Sequence, residues 1–75
     1  MTCTVRPWFI AEDGSTAVAV VTARTVGNGC ADVEVVEVVE DVPGGVARPD
    51  LEGEAWTRLN CGLWDETIWE ALSER

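Results

Sequence analysis

The sequence predicts a small α+β domain: a three- to four-stranded antiparallel β-meander with a C-terminal α-helix packed on one face. Three observations lead there. Residues 2–42 are rich in β-branched and aromatic residues, broken by turn signals at Asp13-Gly14 and Gly27-Asn28-Gly29. Residues 63–75 instead carry apolar side chains at helical spacing. The chain is 75 residues long and 47% apolar, enough for one core and one domain spanning 1–75.

Taken in order, Thr2–Ile10 reads as a first strand, with Thr4, Val5, Trp8, Phe9 and Ile10 favouring extended backbone. Pro7 places it at an edge or a bulge, because proline has no N–H for a ladder. Glu12-Asp13-Gly14-Ser15 supplies a hairpin turn. Thr16–Val26 follows as a second strand, with Val18 and Val20 on one face and Ala17, Ala19, Val21 and Ala23 on the other. The alanines leave room for close approach of a helix or another chain.

After the second turn comes Ala31–Val42. Val33 and Val35 alternate with Asp32 and Glu34, as a half-buried strand requires. From Val35 the pattern becomes Val-Val-Glu-Val-Val-Glu, which also satisfies a helix face. Valine is stiff at χ1 and a poor helix former, so the strand is preferred and the slip at Val35-Val36 is read as a bulge. Pro43–Pro49 is a loop, with a short extended piece at Val46-Ala47-Arg48. Asp50–Leu59 is compatible with a short helix or a fourth strand, since the acidic residues after Pro49 resemble a helix start while Gly53 weakens it. Asn60-Cys61-Gly62 ends that element.

Leu63–Arg75 is the clearest helix, with Trp64, Ile68, Ala71 and Leu72 on one stripe and Trp69 at its margin. Asp65 and Glu66 sit at the positive end of its dipole and Arg75 at the negative end. Trp64, Ile68 and Leu72 are expected to pack on Val18, Val20, Val33 and Val35. The four tryptophans, against one Phe and no Tyr, are expected mainly in the core, with at least one on a contact surface.

Charge is the most distinctive property of the chain. Fourteen Asp and Glu face five Arg, without Lys or His, giving a net charge of −9. Six valines and five carboxylates share the eleven positions Asp32–Val42 without a basic residue. Small domains ordinarily carry a net charge of a few units, because like charges on a small body repel. The excess points to a basic partner.

Other chemistries are disfavoured by residue type. Without His, Lys or Tyr the usual general bases and nucleophile partners are missing, and a carboxylate pair of glycosidase type has little room for a substrate cleft. No Lys or Ser/Thr follows the turn glycines in a phosphate-binding pattern. Dispersed arginines and net negative charge oppose direct nucleic-acid binding. Alternating valines deny the acids a calcium-loop geometry. Cys3, Cys30 and Cys61 are odd in number and far apart, with no C-x-x-C, so zinc is disfavoured. They are expected as reduced and mostly buried thiols, a Cys3–Cys30 or Cys30–Cys61 disulfide being the alternative. No cofactor, catalytic residue or metal ligand is assigned. No signal-peptide core or membrane-length apolar run is present, so a soluble, cytoplasmic protein is expected.

The expected function is therefore that of a non-enzymatic acidic protein-binding module. It would occupy the basic nucleic-acid-binding surface of a nuclease, a CRISPR effector or a transcription protein, as small phage-type inhibitors do. This is an analogy of charge and size. The partner-binding residues assigned are Glu34, Glu37, Glu40 and Asp41. Strict alternation would put Glu34 and Glu40 on one face and Glu37 on the other, so a bulge is needed to align them. The alternative is a small structural or accessory subunit, a homo-oligomer or scaffold, whose acidity serves only solubility. A homodimer through the alanine face or the C-terminal helix belongs to that reading.

Overall fold

A computed structural model describes residues 2–27 and 29–73 and has the expected α+β architecture. Five strands and two helices follow in the order β1 (Thr2–Val5), β2 (Trp8–Ile10), β3 (Thr16–Gly27), β4 (Cys30–Glu40), β5 (Val46–Ala47), α1 (Glu52–Asn60) and α2 (Asp65–Ser73). The sheet is antiparallel throughout. β3 is central, β4 lies on one side of it with β5 beyond, and β1 and β2 both pair with the other side.

The first expected strand is thus split in two. Thr2–Val5 and Trp8–Ile10 nevertheless hold the same register on β3, with Val5 opposite Val21 and Trp8 opposite Val18. They form one edge strand interrupted at Arg6-Pro7, where the ladder lacks the proline N–H. The Pro7 carbonyl still accepts from the Ala19 N–H at 2.9 Å. The turn that follows is held by the Asp13 carboxylate, which accepts from the Ser15 N–H at 2.9 Å.

The Val/Glu segment is a strand with a bulge where the sequence pattern slips. Val20 pairs with Glu37 and Val21 with Val35, so Val36 has no partner on β3. Val26 is likewise extra on β3, between the pairs Thr25–Ala31 and Gly27–Cys30.

Asp50–Leu59 resolves in favour of helix. Pro49–Leu51 is a single 3-10 turn that runs into α1, with proline in a position where its missing N–H costs nothing. α1 ends in a Schellman arrangement: the Leu63 N–H donates to the Arg58 carbonyl at 3.3 Å and the Gly62 N–H to the Leu59 carbonyl at 3.2 Å. Gly62 makes this possible by adopting a φ of 81°, and the turn delays the last helix to Asp65. Asp65 and Glu66 occupy its first turn as expected, whereas Arg75 lies outside the described residues.

Both helices cover the same face of the sheet, α1 over β4 and α2 over β1 and β3. That face is the alanine side of β3: Ala17, Ala19 and Ala23 are at most 1% exposed, alongside Val21. The expected core needs a correction here. Trp64, Ile68 and Leu72 are buried, and Val35 and Val33 do belong to their side of the sheet. Val18 and Val20 instead point away from the helices and are half-buried. The physical reason is volume, since large residues come from the helices and small ones from the strand beneath them. Of the four tryptophans only Trp64 is in the core, tilted against Phe9 at a ring separation of 5.9 Å. The Arg58 guanidinium sits 4.8 Å from the centroid of the Phe9 ring and donates to the Ile10 carbonyl at 3.0 Å, fastening α1 to β2. None of the three cysteines is in a disulfide, and Cys30 and Cys61 are exposed and Cys3 half-buried, so the expectation of mostly buried thiols fails.

Candidate protein-binding site on the open face of the sheet

The face of the sheet turned away from the helices carries a graded set of side chains. Residues opposite one another in an antiparallel pair share a face, so the registers define cross-strand rows. One row runs Trp8–Val18–Val39–Ala47 across four strands and is wholly apolar. The next contains Val20 and Glu37, then come Thr4–Thr22–Glu34 and Thr2–Arg24–Asp32. An apolar end thus passes into a polar end, and each polar row ends in a carboxylate on β4.

Exposure marks this face as a surface and not a second core. Trp8 is 64% exposed and Ile10, which pairs with Thr16 beside the apolar row, is 57% exposed. An indole so uncovered next to half-buried valines is characteristic of a contact site, because its apolar area gains most from being covered.

The four assigned residues divide between the two faces. The Val36 bulge brings Glu34 and Glu37 together on the open face, opposite Thr22 and Val20. Neither makes an ion pair among the described residues. Asp32 is beside them but is paired with Arg24 at 3.1 Å. The same bulge sends Glu40 to the helix side, opposite Ala17. Asp41 lies exposed past the end of β4, its N–H donating to the Thr16 carbonyl at 2.9 Å.

Glu40 belongs to a structural cluster around Arg48. That guanidinium meets both oxygens of Asp50 at 3.0 and 3.1 Å, Asp13 at 3.0 Å and Glu40 at 3.4 Å, with its own side chain 18% exposed. It ties the β2–β3 turn, the end of β4 and the start of the 3-10 turn to one another. Bonds from the Ser15 N–H first, and then from the Ser15 hydroxyl and Arg48, lower the Asp13 pKa to about 2. Arg48 likewise holds Asp50 below the usual carboxylate range, and its own pKa is raised by Asp50 first and Asp13 second. These acids are satisfied within the fold, which leaves Glu34 and Glu37 as the open-face carboxylates with charge to offer.

The sequence reading did not assign Trp8, Ile10, Val18, Val20 and Val39 to a site. The alternation of valine and alanine along β3 carries the signal, but by pattern alone Val18 and Val20, the larger residues, go to the core. Next to the polar rows, a shallow cavity of about 640 Å³ is lined by Thr22, Arg24, Asp32, Val33, Glu34 and Trp56 among others. Among the described residues, no group of three or more His, Cys, Asp or Glu is disposed to hold a metal ion, and no helix is long and apolar enough to cross a membrane. No protein-family model, curated protein or solved structure matches the chain.

Proposed function

We propose that this protein is a non-catalytic binding module whose open sheet face occupies a basic surface of another protein, of the kind that handles nucleic acid. One observation carries the reading. Glu34 and Glu37 stand side by side on that face without an ion-pair partner among the described residues, next to an apolar row led by Trp8. A contact of this composition suits a partner with a small apolar patch bordered by Arg or Lys. The apolar row supplies desolvated area and the carboxylates supply register and long-range attraction. The net charge of −9 extends the attraction over the whole molecule and raises the association rate.

The test is capture of partners from lysate by immobilised protein, with two charge-matched variants. Glu34→Lys/Glu37→Lys reverses the open face, and Glu66→Lys/Glu70→Lys reverses the same number of exposed acids on α2. The first should lose a basic, nucleic-acid-binding protein that the second retains. Retention should weaken as salt rises past ~0.15 M, where the Debye length is about 8 Å. Capture that ignores both salt and the first reversal would reduce the acid to a solubility device. A salt-independent dimer in solution, lost on Trp8→Ser, would favour the subunit reading.

A further inference from the structure

We infer that the outer edge of β4, from Ala31 to Glu37, is a strand-addition site for an extended basic segment of the partner. The inference rests on the binding role proposed above and names how that partner is held. β4 is eleven residues long, yet β5 pairs with it only at Val39 and Glu40. Arg48 extends this by one bond, its N–H donating to the Val38 carbonyl at 2.7 Å. Among the described residues, no other strand, turn or side chain hydrogen-bonds to the edge of 31–37 that faces away from β3. Backbone donors and acceptors on such an edge await either water or an incoming strand.

The side chains on this edge state which strand fits. Asp32, Glu34 and Glu37 all stand on the open face. Residues on one face of a strand recur every second position, roughly 7 Å apart. An added strand with Arg or Lys at alternate positions would set a cation across from Glu34 and Glu37, the two of these carboxylates that Arg24 does not already hold, and such opposite-charge pairs stabilise a ladder. A second copy of this chain does not fit. Antiparallel self-pairing centred on Asp32, Val33 or Glu34 sets carboxylate against carboxylate, which is the arrangement that protects edge strands from one another.

The experiment uses the full chain and a synthetic peptide of about nine residues alternating arginine and threonine, long enough to span ~30 Å as a strand. A control peptide has the same sequence with alternate backbone amides N-methylated along one edge. Backbone pairing predicts that the first peptide binds at low salt and slows amide exchange within residues 31–37 by roughly tenfold or more. It also predicts that methylation weakens binding by about the same factor, and that Glu34→Lys/Glu37→Lys instead prefers a peptide alternating glutamate and threonine. Equal binding of plain and methylated peptides, without protection at 31–37, would overturn strand addition. The reading of the open face would then still stand or fall by the capture experiment, because that measurement does not depend on backbone pairing. Absence of binding by either peptide at low salt would also overturn it.

Discussion

Glu34 and Glu37 lie on the same face of β4, although strict alternation would set them on opposite faces. Val36 is the cause: as the unpaired residue of a bulge, it shifts the phase of everything after it by one position. The same shift puts Val38 inward, where it is 1% exposed, and sends Glu40 to Arg48. A single inserted residue therefore serves the core, the Arg48 cluster and the acidic face together.

Glu34 and Glu37 make no ion pair among the described residues, so neutralising one of them should cost the fold little. Glu37→Gln should change stability by no more than about 0.5 kcal/mol, the ordinary range for a surface substitution. The change should be toward greater stability, since a neighbouring like charge is removed. Urea denaturation at low salt is the measurement. A loss above ~1 kcal/mol would show that Glu37 is held by the fold.

Deleting Val36 should be tolerated. The shortened strand would place the pairs Val21–Val35 and Val20–Glu37 next to each other, in regular antiparallel register and with every face preserved. The melting temperature should fall by about 5 °C or less, equivalent to roughly 1 kcal/mol in a domain this small. Deleting Val20 should unfold the protein, because half of the alanine face of β3 would turn outward. Circular dichroism of the two deletions distinguishes them, and equal damage would mean the bulge is itself a required bend.

The strand order, both hairpin turns, the bulge and the last helix are legible in the sequence because each has a local cause: Asp13-Gly14, Gly27 with Gly29, the Val35-Val36 slip and the Trp64/Ile68/Leu72 stripe. Two things are not local. Which face of β3 lies under the helices depends on how much volume the helices contribute, so alternation alone puts Val18 and Val20 on the wrong side. Whether an acid is free or spent depends on where distant arginines arrive. Glu40 and Glu37 look alike in the chain, yet only Glu40 meets Arg48. The binding face is thus half visible in the pattern, through its carboxylates, while its apolar half emerges only with the fold.

The contrast between the two sides of the sheet is measurable. Leu72 is 5% exposed beneath α2, and Leu72→Ala should cost roughly 2–5 kcal/mol. Trp8→Ala should cost no more than about 1 kcal/mol despite removing a larger side chain, since that indole is on the open face. Chemical denaturation of both variants decides the matter. A Trp8 variant as damaged as the Leu72 variant would mean that the open face is part of the core.

Arg48 should make stability depend on acid in a defined window. The Asp13 carboxyl titrates at about 2 in the folded chain against 3.8 when free, and Asp50 is lowered in the same direction. A carboxyl with a depressed folded pKa binds protons more readily in the unfolded chain, so its contribution is complete above the free value. It fades as pH falls from there through the folded value. Arg48→Gln removes the cation from Asp13, Asp50 and Glu40 but leaves the Ser15 N–H on Asp13. The stability gap between the parent and Arg48→Gln should therefore be constant above about pH 4 and shrink between pH 4 and about 2. Urea midpoints across that range test it. A gap that persists undiminished at pH 2 would show that Arg48 acts through the packing of its stem and not through these charges.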